Sequence, residues 1–404
     1  MKNTTISENK KQWIYPRHKT VRAVLAGPLA LVVWLLYGFR VTVFQEEKNR
    51  QYLILANHQT GFDQFYPSLA FRNPVYYVAS EDIFSMGWLS RLIQWLVAPI
   101  PIKKQVTDIR AVITCMKVAR EGGNIAIFPE GNRTFSGETG AMNPAIGGLA
   151  RKLGLPIAFF RIEGGYGVQP RWSDVRRKGK MKAYVSSVLE PEEYKDWSNE
   201  KLYRHICREL YQNEADDGKT YAHKQNAQYI ERALYVCPNC GITHFESSGD
   251  TLRCTTCGRQ AKYLQSKRFS GDFPFASMLE WYRFQEDYVN SLDPLAPATQ
   301  PLIRDTCSLY RVALYSKKQR IARHVELSLY TDRMEMTGDF TKTFPFGELD
   351  TITILGKNKL NLYYGDMVYQ IQSHKRFNGL KYLNLYHRYK NVTGEGKNGR
   401  FLGL

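Results

Sequence analysis

Acidic residues are scarce in this sequence: 38 Asp and Glu against 56 Lys and Arg leave a formal net charge of +18. That balance suits an anionic partner, whether nucleic acid, anionic lipid or a phosphorylated substrate, and does not separate the three. No low-complexity tract and no internal repeat occur, and 43% hydrophobic content excludes a mainly disordered chain. Disulfide logic is missing too. The seven cysteines are odd in number, Cys115, Cys207 and Cys307 are scattered, and the other four form two C-x-x-C pairs, which points to a reducing compartment. At 404 residues the chain is too long for one ordinary domain, and two to three are expected.

Charge is absent from residues 23–39. At 1.5 Å per residue this run is about 25 Å long, short of a bilayer core of roughly 30 Å. Gly27 and Pro28 inside it are expected to kink or break a helix. Arg17, Lys19 and Arg22 precede it and Arg40 follows. It ends in Tyr37-Gly38-Phe39-Arg40 rather than in small residues, so a cleaved secretory signal is not expected. Residues 1–50 read as a basic arm with a membrane-associating segment, a short tilted span or a dip into one leaflet, with a buried core helix as the alternative.

The next part alternates. Short apolar runs at 52–56, 75–79, 124–128 and 156–162 predict strands, and 65–71, 88–97, 108–121 and 145–153 predict helices between them, the pattern of an α/β layer fold. In the helix at 88–97, Trp88, Leu92 and Trp95 share one face, which suits a membrane interface or a packed core equally. Residues 171–182 hold Arg171, Arg176, Arg177, Lys178, Lys180 and Lys182, read as a solvated loop or a phospholipid-facing patch. Residues 196–234 read as helical and polar.

Two motifs carry chemistry. Asn57-His58-Gln59-Thr60-Gly61-Phe62-Asp63 follows the first strand directly, at a strand's C-terminal end, where α/β folds place reactive groups. An imidazole is a good general base near neutral pH if a partner fixes its tautomer, and Asp63 reaches back if Gly61 permits a turn. Of the eight histidines, His58 alone has an Asp five residues on. After the third strand comes Pro129-Glu130-Gly131-Asn132-Arg133-Thr134: a carboxylate, a glycine N–H able to approach a phosphate or oxyanion, and a guanidinium able to clamp a phosphate. A plain Pro-Gly turn after a strand is the alternative.

Together the motifs resemble the glycerolipid acyltransferase family, best known from lysophosphatidic acid acyltransferases. Asn57–Asp63 matches its Asn-His, four residues, Asp block, and Phe128–Thr134 its Phe-Pro-Glu-Gly-x-Arg-Ser/Thr block. Lys103 and Lys104 stand where the family has a substrate-contacting basic residue, and Leu155-Pro156-Ile157-Ala158 resembles its last block. The resemblance covers about residues 50–190. It implies direct acyl transfer from acyl-CoA or acyl carrier protein to the hydroxyl of a lysophospholipid, 1-acylglycerol-3-phosphate above all, at the cytoplasmic face of a membrane. His58 and Asp63 would be catalytic. Glu130, Gly131, Arg133, Thr134, Lys103 and Lys104 would bind substrate, and no serine or cysteine nucleophile is needed. Another lysophospholipid or a polyol is the alternative acceptor.

Cys237-x-x-Cys240 and Cys254-x-x-Cys257 have the spacing of a four-thiolate structural zinc ribbon, with no open position for catalysis. Pro294, Pro297 and Pro301 mark a linker after a helical stretch at 268–292. Seven β-rich runs follow from residue 308, then a helical face through Phe377, Leu380, Leu383 and Tyr386, which resembles a pleckstrin-homology-like barrel. Lys317, Lys318, Arg320 and Arg323 cluster between its first two strands. The expected organisation is therefore 1–50 arm and anchor, 51–235 layered α/β acyltransferase domain, 236–265 ribbon, 266–300 helix and linker, and 301–404 β-rich domain. A lipid-recruiting adaptor or a nucleic-acid binder is a remote alternative. No nucleic acid is expected, because it would leave the apolar run and the paired motifs unexplained.

Overall fold

In the computed structural model, residues 12–80, 83–84, 87–102, 108–312 and 318–394 are described. Helix α1 (Pro16–Tyr37) spans the apolar run without interruption at Gly27 or Pro28. The expected break does not occur: the lost donor at Pro28 is one hydrogen bond among those of 22 helical residues. Pro16 starts the helix, and Gly38 at φ 70° ends it with its N–H on Trp34 O. The helix is long and apolar enough to cross a membrane, and only 11% of its apolar window is buried. Val33 and Tyr37 at its end pack into the next layer.

Strands β1 (Leu53–Ala56), β2 (Val75–Ser80), β3 (Ile100–Ile102), β4 (Asn124–Ile127), β5 (Ile157–Glu163) and β6 (Lys182–Leu189) form one sheet in the order β3-β2-β4-β1-β5-β6. All neighbours are parallel except the edge pair β5 and β6. The central strands are buried on both faces, as continuous apolar runs require. Around them lie α2 (Tyr66–Ala70), α3 (Trp88–Val97), α4 (Ile109–Arg120), α5 (Ala145–Leu153), α6 (Gly165–Val168), α7 (Pro191–Tyr194) and α8 (Asn199–Leu210). On α3, Trp88 and Trp95 are 75% and 54% exposed, so that face is not a packed core.

Only α8 realises the helix expected over 196–234; residues 211–229 are irregular. Gln212 and Glu214 turn inward there to hydrogen-bond the loops that follow β1 and β5, so polarity does not mean a solvated helix face throughout. The basic stretch also divides. Arg171 and Arg177 are buried, while Arg176, Lys178 and Lys180 are exposed.

Strands β7 (Val236–Cys237) and β8 (Gly241–Ile242) form the first cysteine hairpin, followed by the antiparallel sheet of β9 (Phe245–Ser248), β10 (Thr251–Cys254), β11 (Gln260–Tyr263) and β12 (Phe269–Gly271). The helix expected from 268 begins only at Met278, as α9 (Met278–Ser291), because Gly271 and Pro274 cannot continue one and Ser277 caps its start. The C-terminal sheet comprises β13 (Ile303–Val312), β14 (Gln319–Leu329), β15 (Arg333–Gly338), β16 (Lys342–Pro345), β17 (Thr351–Leu355), β18 (Lys359–Tyr364) and β19 (Met367–Gln372), in the order β16-β15-β14-β13-β19-β18-β17. Helix α10 (Leu380–Thr393) covers the gap between β16 and β17, where Tyr386 donates to the carbonyls of Leu349 and Asp350. One apolar core runs through ribbon, α9, C-terminal sheet and α10, and reaches Phe135, Tyr166 and Trp172 beside the first sheet.

Candidate active site

Parallel neighbours β1 and β4 run in register from Leu53 against Ile125, so their C-terminal ends emerge side by side. This brings the two motifs together. His58 leaves β1 and its ring lies 4.7 Å, centroid to centroid, from that of Phe128 beyond β4. Asn57 locks the strand end by exchanging hydrogen bonds with the backbone of Ile162 at 2.9 and 2.8 Å.

His58 Nδ1 lies 2.9 Å from Asp63 Oδ2. The Asp63 carboxylate is fully buried and also receives the N–H groups of Gln59 and Thr60 and the Thr60 hydroxyl. A carboxylate so surrounded acts only as acceptor, so Nδ1 carries the proton and Nε2 is left as the free base. Burial lowers the His58 pKa below 6.5; Asp63 raises it in part, and Arg133 and Arg171 lower it further. The imidazole is thus neutral at pH 7, and its side chain keeps 22% exposure through which a substrate reaches it.

Glu130 does not pair with Arg133. Its Oε1 accepts the His58 N–H at 2.8 Å and its Oε2 the Gly140 N–H at 2.8 Å. Burial pushes its pKa up to about 8, against those two N–H groups. Gly131, at φ 66°, makes the turn, but its N–H is spent on Phe128 O and is not the free oxyanion donor expected. Thr134 clips the loop: its N–H donates to His58 O at 3.3 Å and its hydroxyl accepts from Gly137.

Arg133 lies over the other motif. A Cβ added at Gly61 would stand 3.9 Å from Arg133 Nη1. Burial lowers the Arg133 pKa, and Asp63 and Tyr37 oppose this. Among the described residues no carboxylate pairs with it and no hydrogen bond engages its guanidinium, so the fork is open beside His58. Arg176 stands near, its guanidinium 5.7 Å from the Tyr37 ring. Lys103 and Lys104 lie outside the described residues; β3 ends just before them.

Sequence reasoning missed the layer behind. Gln212 Oε1 receives both Asn57 Nδ2 and Gln59 Nε2, at 3.2 Å each. Glu214 receives the N–H groups of Gly164 and Tyr166, and burial raises its pKa to about 7. No spacing signal marks these residues, because their partners lie about fifty to more than a hundred and fifty positions away along the chain.

At the ribbon, the sulfurs of Cys237, Cys240, Cys254 and Cys257 lie within 4.8 Å of one another. Cys237 and Cys257 are 3.8 Å apart, and Cys240 and Cys254 4.0 Å. Tetrahedral thiolates at about 2.3 Å from one ion stand about 3.8 Å apart, so the four fit a single metal ion.

Residues 40–162 match the Acyltransferase family. A chloroplastic 1-acyl-sn-glycerol-3-phosphate acyltransferase of Brassica napus is 24% identical over 123 residues, 30% of this chain and 35% of that protein. The chain thus spans about a third of the length of that relative. The 1-acyl-sn-glycerophosphate acyltransferase PlsC of Thermotoga maritima superposes with a TM-score of 0.38 at 21% identity, over 47% of this chain and 75% of that one. Residues 40–162, the part of the chain that matches the acyltransferase family, carry both motifs.

Proposed function

We propose that this chain is an O-acyltransferase that moves a fatty acyl group from a thioester to the hydroxyl of a glycerolipid, with 1-acylglycerol-3-phosphate as acceptor. The observation that carries the reading is the open Arg133 guanidinium held beside a tautomer-fixed His58. His58 Nε2 takes the proton of the acceptor hydroxyl as its oxygen attacks the thioester carbonyl. The C–S bond then breaks, and the leaving thiolate takes the proton back from His58. Arg133 holds the acceptor phosphate in two-pronged fashion. Glu130 sets the height of His58 through its backbone, and Thr134 braces the same loop. The donor is acyl-CoA or acyl carrier protein.

The same reading assigns residues 51–235 to transfer and places the enzyme at the cytoplasmic face of a membrane. Exposed Leu31, Trp34 and Leu35 of α1, and Trp88, Leu92 and Trp95 of α3, support a lipid-facing surface. Arg17 joins the two helices by donating to Trp95 O at 3.0 Å. For the ribbon we propose one structural zinc; the sulfur spacing supports it and leaves no open position. The test is incubation of the purified chain with labelled acyl-CoA or acyl carrier protein and a panel of lysophospholipids and polyols. Labelled phosphatidic acid from 1-acylglycerol-3-phosphate is expected. Transfer only to phosphate-free acceptors would overturn the role of Arg133, and no transfer to any acceptor would overturn the reading as a whole.

A further inference from the structure

Arg171 is 4% exposed and joins two distant parts of the chain through one guanidinium. Its Nη1 donates to Arg133 O at 2.9 Å, and its Nη2 to Ile354 O at 3.0 Å. Its Nε donates to Gly356 O at 2.9 Å. The first partner is the backbone of the arginine that faces His58; the other two are the end of β17 and the turn into β18. The guanidinium is packed 4.3 Å from the Phe135 ring centroid. From the same turn, Lys357 Nζ returns to Asp174 Oδ1 at 2.8 Å and to the carbonyl of Ser173. The end of β17 and its turn thus hold the segment after α6 at two points, at Arg171 and at Ser173 with Asp174.

The partners of Arg171 are carbonyls and one amide oxygen. Among the described residues no carboxylate pairs with it. A buried guanidinium without a carboxylate partner, next to the like charge of Arg133, is costly unless an anion shares the space. The two charges oppose each other, and burial with that repulsion brings the Arg171 pKa down to about 9. Both also depress the proton affinity of His58, so their field reaches the reacting atoms.

We propose that the C-terminal sheet is a working part of the acceptor site: its β17–β18 turn, acting through Arg171, positions Arg133 to hold a phosphate monoester. This rests on the functional reading above and adds to it that residues 301–404 are required for acceptor recognition. Arg171 is a positioning residue, since each of its three nitrogens already donates within the protein and Arg133 makes the contact.

The test uses the full-length chain with the substitutions Arg171→Gln, Arg171→Lys and Lys357→Gln. Steady-state kinetics against acceptor and donor are paired with thermal shift on titration of inorganic phosphate. Arg171→Gln is expected to raise the acceptor KM about tenfold or more while the donor KM stays within about twofold, the split that marks lost acceptor binding. The phosphate concentration giving half the thermal shift should rise about tenfold with it. Arg171→Lys keeps the charge but not the fork and should fall between. Lys357→Gln, on the surface side of the grip, should raise the acceptor KM by about threefold. If Arg171→Gln fails to fold, the Lys and Lys357 variants decide. An active wild type whose variants keep both KM values and the phosphate response overturns the inference and leaves the functional reading standing. A wild type that responds to phosphate through Arg171 but transfers no acyl group overturns the functional reading and, with it, the claim about the acceptor.

Discussion

Glu130 holds the backbone of His58, not its ring: the carboxylate accepts the His58 N–H at 2.8 Å while its other oxygen accepts the Gly140 N–H. Asp63 independently sets the ring from the opposite side. The two acidic residues thus divide the placement of one histidine between main chain and side chain.

Glu130→Gln should test this division. One amide end must then face an N–H, so one of the two bonds is lost and a buried donor is left unpaired, a loss of about 1–3 kcal/mol. We expect a kcat reduced about 10–100-fold with both KM values nearly unchanged, as for a base moved slightly out of place. The pH dependence follows from burial, which raises the folded-state pKa from 4.5 to about 8. A carboxyl raised on folding contributes stability that is present below pH 4.5 and is lost as pH rises through about 8. Wild type should therefore lose stability relative to Glu130→Gln between pH 5 and 9. Denaturant melts across that window showing a constant difference would refute it.

His58→Ala should leave the fold intact, since the side chain is partly exposed, and should lower kcat/KM by about 10²–10⁴-fold. Because burial holds its pKa below 6.5, the acid limb of wild-type kcat/KM should lie below pH 6.5, with full activity above it. Asp63→Asn removes the interactions that raise that pKa, so the limb should move further down while the rate falls by about 10³–10⁴-fold through loss of tautomer control. An acid limb above pH 7 in the wild type would exclude His58 as the titrating base.

How far these roles could be read from residues alone depends on reach along the chain. The His58–Asp63 pair is local, five positions closed by one turn, and was legible as such. Four of the six strands of the first sheet were legible as apolar runs, while short β3 and the half-polar edge strand β6 were not; the four cysteines were legible from their spacing. Glu130 was legible as a site residue through the family resemblance, but its partners are main-chain N–H groups in other loops, which no pattern of side chains announces. Arg171 looked like one more surface cation in a basic stretch; its burial is decided by carbonyls of Ile354 and Gly356, far on in the sequence. Residues 211–229 misled for the opposite reason, because polar side chains there are bound inward to Asn57, Gln59 and Gly164.

Arg133→Lys should separate acceptor from donor. The ammonium keeps the charge but offers no planar fork, so the acceptor KM should rise about tenfold or more while the donor KM changes little. Equal rises for both substrates would show that Arg133 does not hold the phosphate.

Metal analysis of the purified chain should find about one zinc per molecule. Because Cys237 and Cys254 belong to the same apolar core as α9 and the C-terminal sheet, the loss should be felt beyond the ribbon. Cys254→Ser, or a chelator strong enough to strip the ion, should lower the melting temperature by several degrees, since structural zinc contributes folding energy directly. A metal-free preparation with an unchanged melt would refute the site.

The last prediction concerns the exposed apolar faces of α1 and α3. Trp88 is 75% exposed and Leu92 40%, so neither supplies packing that the folded chain depends on. An exposed tryptophan is normally tolerated singly, but here Leu92 and Trp95 of the same helix are exposed with it, as are Trp34 and Leu35 of α1. Interfacial binding grows with buried apolar area, so the double substitution Trp88→Ser and Leu92→Ser removes roughly 2–4 kcal/mol of transfer free energy. Co-sedimentation with phospholipid vesicles should then weaken by about tenfold or more while the melting temperature stays within a degree or two. Activity on acceptor dispersed below its aggregation limit should be preserved, and activity on acceptor presented in vesicles should fall. If the variant binds vesicles as wild type does, α3 does not face lipid, and α1 alone must carry the association. If it melts well below wild type, the face is covered in solution by something other than lipid, and a self-association surface becomes the reading to pursue by measuring molecular mass.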